Sequence, residues 1–483
     1  MTAISSLPPS LPATSLLDMD EDITETTVLI PKPQQKTPTP LPKLQFGIIM
    51  FVLICEPTAG QSIYPYINQL VSELGITGGD QRKVGYYAES LFYFTEATTT
   101  LQWSRASDYV GRKPILVIGL FGTTLSMLCF GMSRTFWMLV ASRCLTGLLN
   151  GNVGVMKSTL ADLTDSSNRA QAVGFLPIMW ELGSAFGFFI GGYLSQPQRR
   201  FPNMFSGKFW EDYPYLLPSL ATGSLVCFSG VIILLFFKET APSKKSRTSD
   251  EREDSNSHAP SPSPAAPVHL LQLLTFPVMI SVSNYISLAF LNIVVVSLIP
   301  LFFAMPVTIG GLGLPPSKIG LVMTIQSVAV GVFQLFFFAK IIRRFGERAV
   351  MIGGMSMFPV VFGLIPIISA TAQQSGRSVA VWALVACLLS LNIFADMCFG
   401  VVWMFLAASA PKDRRGAVNG LGQTSVSLAR AIAPAFATSF FSLSVEYNLL
   451  GGYAVYAFFG ALSVGAVMLA RRLPGELWEE EDH

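Results

Sequence analysis

The run RAQAVGFLPIMWELGSAFGFFIGGYL, from Arg169 to Leu194, constrains this chain more than any other stretch. A helix that crosses a bilayer needs about 20 predominantly apolar residues. This run supplies them, with one carboxylate, Glu181, in its interior. Gly183, Gly187 and Gly191 recur every four residues and so line one stripe of the helix. Gly174 lies before the stripe and Gly192 directly after it. Such a stripe lets a second helix backbone come close inside lipid. A charge at that depth costs about 3 kcal/mol on insertion scales, which makes Glu181 a candidate functional residue.

The same stretch returns near the C-terminus as RGAVNGLGQTSVSLARAIAPAFA, from Arg415. Arg169 corresponds to Arg415, Gly174 to Gly420, Gly183 to Ala429, Gly187 to Ala433 and Gly191 to Ala437, so small residues meet small residues. Earlier in the chain, Pro65 corresponds to Pro300 and Gly111 to Gly346 at a second constant offset. Two copies separated by a loop insertion have this pattern. Apolar segments fall at roughly 45–70, 84–103, 114–132, 136–160, 171–195 and 214–237, then at roughly 272–305, 317–342, 349–370, 378–408, 417–443 and 449–470. The expected fold is an all-α integral membrane protein with twelve transmembrane helices in two six-helix pseudo-repeats. The expected organisation is a disordered cytosolic tail over 1–43, a bundle over 44–237, a Pro/Ser-rich cytosolic linker over 238–268, a second bundle over 269–470 and a short tail over 471–483.

Composition agrees with that class. Only 13% of residues are charged and 51% are hydrophobic, whereas soluble proteins carry about 25% charged residues. A net charge of +2 implies no nucleic-acid partner. The first 43 residues are polar, with no charged-then-apolar leader pattern. All six cysteines (Cys55, Cys129, Cys144, Cys227, Cys387 and Cys398) fall in apolar stretches and are expected as small core residues. The only histidines are His258, His269 and His483, in the linker, at its edge and at the end of the chain. No helix interior offers imidazole to a metal, and Glu56 beside Cys55 is a weak substitute. No cofactor is expected, and no nucleophile–base pair suggests an enzyme.

Lys and Arg placement sets the orientation. Most of the basic residues fall on one side, in short loops such as Arg112-Lys113, Arg343-Arg344 and Lys412 to Arg415. The positive-inside pattern then puts both termini in the cytosol. The outer loop with Arg199, Arg200 and Lys208 runs mildly against it. Glu25-Thr-Thr-Val-Leu29-Ile30 fits an acidic dileucine sorting signal, which points to a plasma or vacuolar membrane.

Three motifs carry a resemblance. The loop Trp103-Ser-Arg-Ala-Ser-Asp108-Tyr-Val-Gly111-Arg112-Lys113-Pro114 resembles the loop signature of the major facilitator superfamily, with Ser104 in place of its first glycine. In the fourth segment Arg143, Gly147 and Gly151 resemble the motif of proton-coupled members, and Asn150 and Lys157 share a face with Arg143. The fifth segment resembles the superfamily's antiporter motif at Gly174, Gly183, Gly187, Gly191 and Gly192, with Phe188 where proline is expected. Pro434 stands at the equivalent point of the eleventh segment. With FPNMFSGKFWEDYPYLLPSL and the eleventh segment included, the chain resembles the zinc-induced-facilitator-like group of drug:proton antiporters over nearly all of 45–470.

The resemblance implies a secondary transporter that exports a small organic molecule in exchange for protons, working as a monomer in the bilayer. Uptake by symport, chelator or metal-ion transport, and a non-transporting receptor are the alternatives. Glu56, Arg143 and Glu181 are the expected proton-coupling residues. Glu89, Tyr93, Glu96, Asn150, Asp396, Trp403, Gln423 and Arg430 are expected around a central cavity, suited to an amphiphilic or cationic substrate. Asp108, Gly111, Arg112, Lys113 and Arg344 are expected to form an inner gate. Gly183, Gly187, Gly191, Gly192 and Pro434 are expected to serve helix packing, and Lys157 is expected to snorkel to the inner surface.

Overall fold

A computed structural model describes residues 41–75, 80–87, 99, 102–103, 106–107, 109–150, 152–164, 168–240, 274–410 and 415–478. In the first half these form α1 (Lys43–Gln61), α2 (Ile67–Glu73), α3 (Arg112–Gly131), α4 (Phe136–Leu149), α5 (Asn152–Asp162), α6 (Arg169–Leu194) and α7 (Leu216–Phe236). The second half contributes α8 (Phe276–Ala304), α9 (Pro316–Phe345), α10 (Glu347–Met355), α11 (Met357–Ser375), α12 (Val379–Asp396), α13 (Cys398–Ala408), α14 (Arg415–Glu446) and α15 (Ala454–Ala470). Among the described residues, 9 helical stretches are long and apolar enough to cross a membrane, with α10–α11 and α12–α13 each acting as one rod. The second expected segment lies largely outside the described residues. The fourth is divided into α4 and α5, and Asn150 leaves the helix with a ψ of 72°.

Local chemistry explains the boundaries. The Thr135 hydroxyl caps α4 by accepting from the Met138 amide at 3.3 Å. Gly111 precedes α3 with a φ of 114° and Gly346 separates α9 from α10 with a φ of 77°, values that favour a residue without Cβ. These two glycines occupy corresponding places in the two halves. At the start of α3 the Glu239 carboxylate accepts from the amides of Arg112 at 2.8 Å and Lys113 at 3.1 Å. It supplies the capping oxygens that Gly111 lacks.

The glycine stripe of α6 lies on α1. A methyl group at Gly187 would stand 2.6 Å from the Thr58 carbonyl oxygen, and one at Gly191 would run into the Ser62 carbonyl. The Thr58 hydroxyl donates to the Gly183 carbonyl at 3.0 Å. Backbone-to-backbone contact therefore replaces side-chain packing along this seam. The helix continues unbroken through Phe188, which is buried and meets the Tyr64 ring edge-on at 6.3 Å.

The two halves meet mainly where α6 crosses α9. Gly192 and Gly320 face each other so closely that a methyl on either would lie 2.8 Å from the other's Cα. The Thr324 hydroxyl donates across the same seam to the Ala185 carbonyl at 3.3 Å. Beside it, Lys83 and Glu446 pair at 3.7 Å. All three contacts lie toward the end of the bundle remote from Lys43 and Ala470, here called the far end. Also at the far end, Tyr215 donates to the Glu73 carboxylate at 2.6 Å and stacks on Tyr66 at 5.1 Å. Burial, and then the Glu73 charge, push that phenol above its ordinary range. At the opposite, terminal end, three polar contacts among the described residues each stay within one half. Arg112 pairs with Asp162 at 3.2 Å, Gln45 bonds the Phe236 carbonyl at 3.1 Å, and Arg348 donates to the Arg471 carbonyl at 2.7 Å. The halves are thus joined at the far end.

Candidate functional site

The first half brings an acid and two cations toward the second. Glu56 is 8% exposed in α1. The next residue, Pro57, has no amide proton, so the Leu53 carbonyl lacks its helical donor and the backbone is loosened there. Arg143 of α4 is 7% exposed, with its guanidinium carbon 5.8 Å from the Phe130 ring. Lys157 of α5 is an exposed side chain. It does not run to the membrane surface as its sequence position suggests. Its ammonium nitrogen stands 6.0 Å from the Trp403 ring of α13, and both Glu56 and Arg430 lie within its electrostatic range. Exposure together with neighbours from both halves places it in an open cavity between them.

The second half supplies the opposite wall. Gln423 of α14 donates to the Tyr285 hydroxyl of α8 at 3.1 Å, and that tyrosine is buried. Two turns beyond Gln423 along α14, Arg430 keeps a buried Nε with no acceptor, and Trp403 keeps a buried indole N–H with no acceptor. Pro434 follows Arg430 by four residues and deprives its carbonyl of a helical donor. On α12, Asp396 accepts from Asn292 at 2.8 Å and from Asn392 at 3.3 Å, which satisfies both carboxylate oxygens.

Glu181 has different surroundings from Glu56. Ser327 of α9 and Asp396 are its electrostatic neighbours. A methyl at Gly331 would sit 3.5 Å from its Cβ. It belongs to the α6–α9 seam, so the three expected coupling residues occupy two places. Asn150 sits at the break between α4 and α5, with a buried side-chain oxygen that has no partner.

Of the expected gate, Asp108 lies outside the described residues, as do Glu89, Tyr93 and Glu96 of the expected cavity. Around Gly111, a Cβ would collide with the Glu239 carboxylate. The Arg112 side chain reaches Asp162 and donates to the Ser107 hydroxyl at 2.6 Å, both in its own half. Lys113 offers its amide to Glu239, and Arg344 is exposed in the last turn of α9. The part played by Lys157 was missed in the sequence, and so were Tyr285, Asn292, Ser327 and Glu239. Asn292 carried a signal, as one of two amides, with Asn284, in an apolar run.

Among the described residues no group of three or more His, Cys, Asp or Glu side chains is placed to hold a metal ion. The six cysteines are free thiols. Cys55 and Cys398 are buried, but Cys129 and Cys387 are exposed, so the expectation of six core residues needs correction. A spanning helix has an apolar outer face, and a thiol there touches lipid rather than core.

The sequence profile of the Major Facilitator Superfamily matches residues 49–434 and 286–481. Among curated proteins, the major facilitator-type transporter psiT2 of Psilocybe cyanescens is 32% identical, over 87% of this chain and 88% of its own. A major facilitator superfamily multidrug transporter, mfsB of Aspergillus fumigatus, is 28% identical over 86% of this chain and 80% of its own. The protein ZINC INDUCED FACILITATOR 1 of Arabidopsis thaliana is 26% identical over 83% of this chain and 85% of its own.

Proposed function

Because this chain belongs to the major facilitator superfamily, we propose that it carries a small organic molecule through the cavity between its halves and exports it in exchange for protons. Glu56 is the observation that supports proton coupling. It is a buried carboxylate on a helix loosened by Pro57, in electrostatic contact with a lysine that faces the cavity. The antiporter-like glycines of α6 and the multidrug relative support export. In this reading 44–237 and 269–470 rock against each other about the cavity, and 238–268 tethers them. Asp108, Gly111, Arg112, Lys113 and Arg344 close the terminal end in the opposite conformation. A monomer with both termini in the cytosol, in the plasma or vacuolar membrane, completes it. The test is pH-driven flux in proteoliposomes across a panel of metabolites and drugs. Glu56→Gln should abolish gradient-driven flux and keep substrate counterflow; retained pH-driven flux removes Glu56 as the carrier.

One observation favours a second reading, co-transport. Lys157 senses both Glu56 and Arg430. A proton on Glu56 removes the negative neighbour of Lys157 and leaves the cation to a negatively charged cargo. Proton and cargo would then bind together rather than compete. Unbuffered purified protein distinguishes the two: substrate that releases protons marks exchange, and substrate that takes them up marks co-transport.

A further inference from the structure

We infer that the cavity binds an anionic group between Lys157 and Arg430, with the flat apolar part of the ligand against Trp403. This rests on the reading of the space between the halves as the substrate cavity, and it names the class of substrate that the cavity takes.

Three observations carry it. First, Lys157 from the first half and Arg430 from the second lie within electrostatic range of one another, and neither makes an ion pair among the described residues. The ion pairs there are Lys83–Glu446, Arg112–Asp162 and Arg134–Asp212. Two like charges brought together from separate halves repel, and an anion between them turns both interactions favourable. Second, two donors of the groups around Lys157 are unused. The Arg430 Nε and the Trp403 indole N–H are buried without an acceptor. Buried donors normally find a partner, so a pair of orphans at one place marks a site completed by something else. Third, the groups are chemically matched. A guanidinium offers a planar fork to a carboxylate or phosphate, an ammonium adds an adjustable point charge, and an indole provides a flat apolar face with an N–H at its edge.

Nearby acids do not cancel the site. Among the described carboxylates of the cavity region, Asp396 is engaged by Asn292 and Asn392, and Glu181 lies in the α6–α9 seam beside Ser327. Glu56 is the acid that Lys157 senses, one negative charge against the two cations. Of the amphiphilic or cationic substrates expected from the sequence, the site therefore suits an amphiphilic anion and not a cation. It also connects ligand binding to movement. The two cations belong to different halves, so an empty cavity resists closing at the terminal end, and an anion that bridges them removes the repulsion and draws the halves together.

The experiment uses three ligands of one ring and three charges: 2-naphthoate, 2-naphthamide and 2-naphthamidine. Binding to purified full-length protein in detergent, with no proton gradient, is read by tryptophan fluorescence and by thermal shift. The expected result is saturable binding of 2-naphthoate at least tenfold tighter than of the amide or the amidine. Lys157→Met and Arg430→Gln should each weaken it at least tenfold, while Lys157→Arg retains it. Trp403→Phe should lose most of the fluorescence response and keep a thermal shift. Melting temperatures of the ligand-free variants report folding separately, and removing one of two repelling cations should not lower them. Equal or tighter binding of the amidine or amide, no binding of any of the three, or naphthoate binding unchanged in both Lys157→Met and Arg430→Gln would overturn the inference. Naphthoate binding without pH-driven flux would instead overturn proton-coupled transport and leave the anion site standing.

Discussion

Replacing Gly192 with alanine should shift the protein away from the conformation seen here without unfolding it. A methyl at that position would lie 2.7 Å from the Pro316 carbonyl oxygen and 2.8 Å from the Gly320 Cα. Carbon atoms pack at about 3.5–4.0 Å, so α6 and α9 must part by roughly 1 Å at the far end. Overpacking of this kind costs about 1–3 kcal/mol. On the proposed rocking of the halves, only the conformation with the far end closed bears it, because Gly192 and Gly320 would separate in the opposite one. The ratio of the two conformations should therefore fall about 5–150-fold. Arg82→Cys and Tyr447→Cys place two spin labels on exposed residues that flank the Lys83–Glu446 pair, one in each half. Exposed Cys129 and Cys387 are first replaced by serine. Pulsed electron–electron resonance should show a short-distance population that shrinks in Gly192→Ala and shrinks further with Gly320→Ala added. Gly207→Ala, where a methyl meets nothing within 4 Å, is the control. An unchanged distance distribution together with unchanged flux would refute the view that this glycine pair is the closing contact.

Three other outcomes follow from single contacts. Gly191→Leu drives its Cβ into the Ser62 carbonyl, whereas a Cβ at Gly174 meets nothing within 4 Å; Gly191→Leu should lose the monodisperse peak in size-exclusion chromatography and Gly174→Leu should keep it. Glu239→Ala leaves the Arg112 and Lys113 amides without their shared acceptor and should cost about 1 kcal/mol, read as a lower melting temperature with little change in substrate affinity. The Lys83–Glu446 pair spans 3.7 Å with side chains 42% and 26% exposed, so a double-mutant cycle on stability should return about 0–1 kcal/mol.

The sequence made the architecture legible because a membrane leaves few solutions. Every backbone amide must be satisfied within its own helix, and apolar length therefore reports the number of crossings with little interference from tertiary contacts. The α6 stripe was legible for a related reason, since glycines at every fourth position have one geometric use. The break between α4 and α5 was hidden. Asn150 and Gly151 are ordinary residues in a sequence pattern, and only the ψ of 72° at Asn150 shows where the helix stops. The cap on α3 was equally hidden, because Glu239 comes from the far side of α7 in the chain and reaches Arg112 across 127 residues.

The cavity shows why charge is harder to read than fold. The heptad spacing of Arg143, Asn150 and Lys157 assumes one unbroken helix, which the break at Asn150 removes, and spacing does not say what stands opposite. Along one helix, the inner-end position of Lys157 suggests a side chain that reaches for the membrane surface. In the folded chain Trp403 and Arg430, which belong to the other half, change that meaning. A cation opposite an acid is a structural tie that holds helices in one arrangement. Opposite another cation with no described counter-ion, it opposes closure until a ligand neutralises it. Glu56 adjusts that balance, since its proton decides whether Lys157 has a negative neighbour. On the proposed reading, substrate charge, proton occupancy and closure at the terminal end depend on the same few side chains. On that reading the sign of the coupling is set by how α1, α5 and α14 meet, which no single segment of the sequence contains.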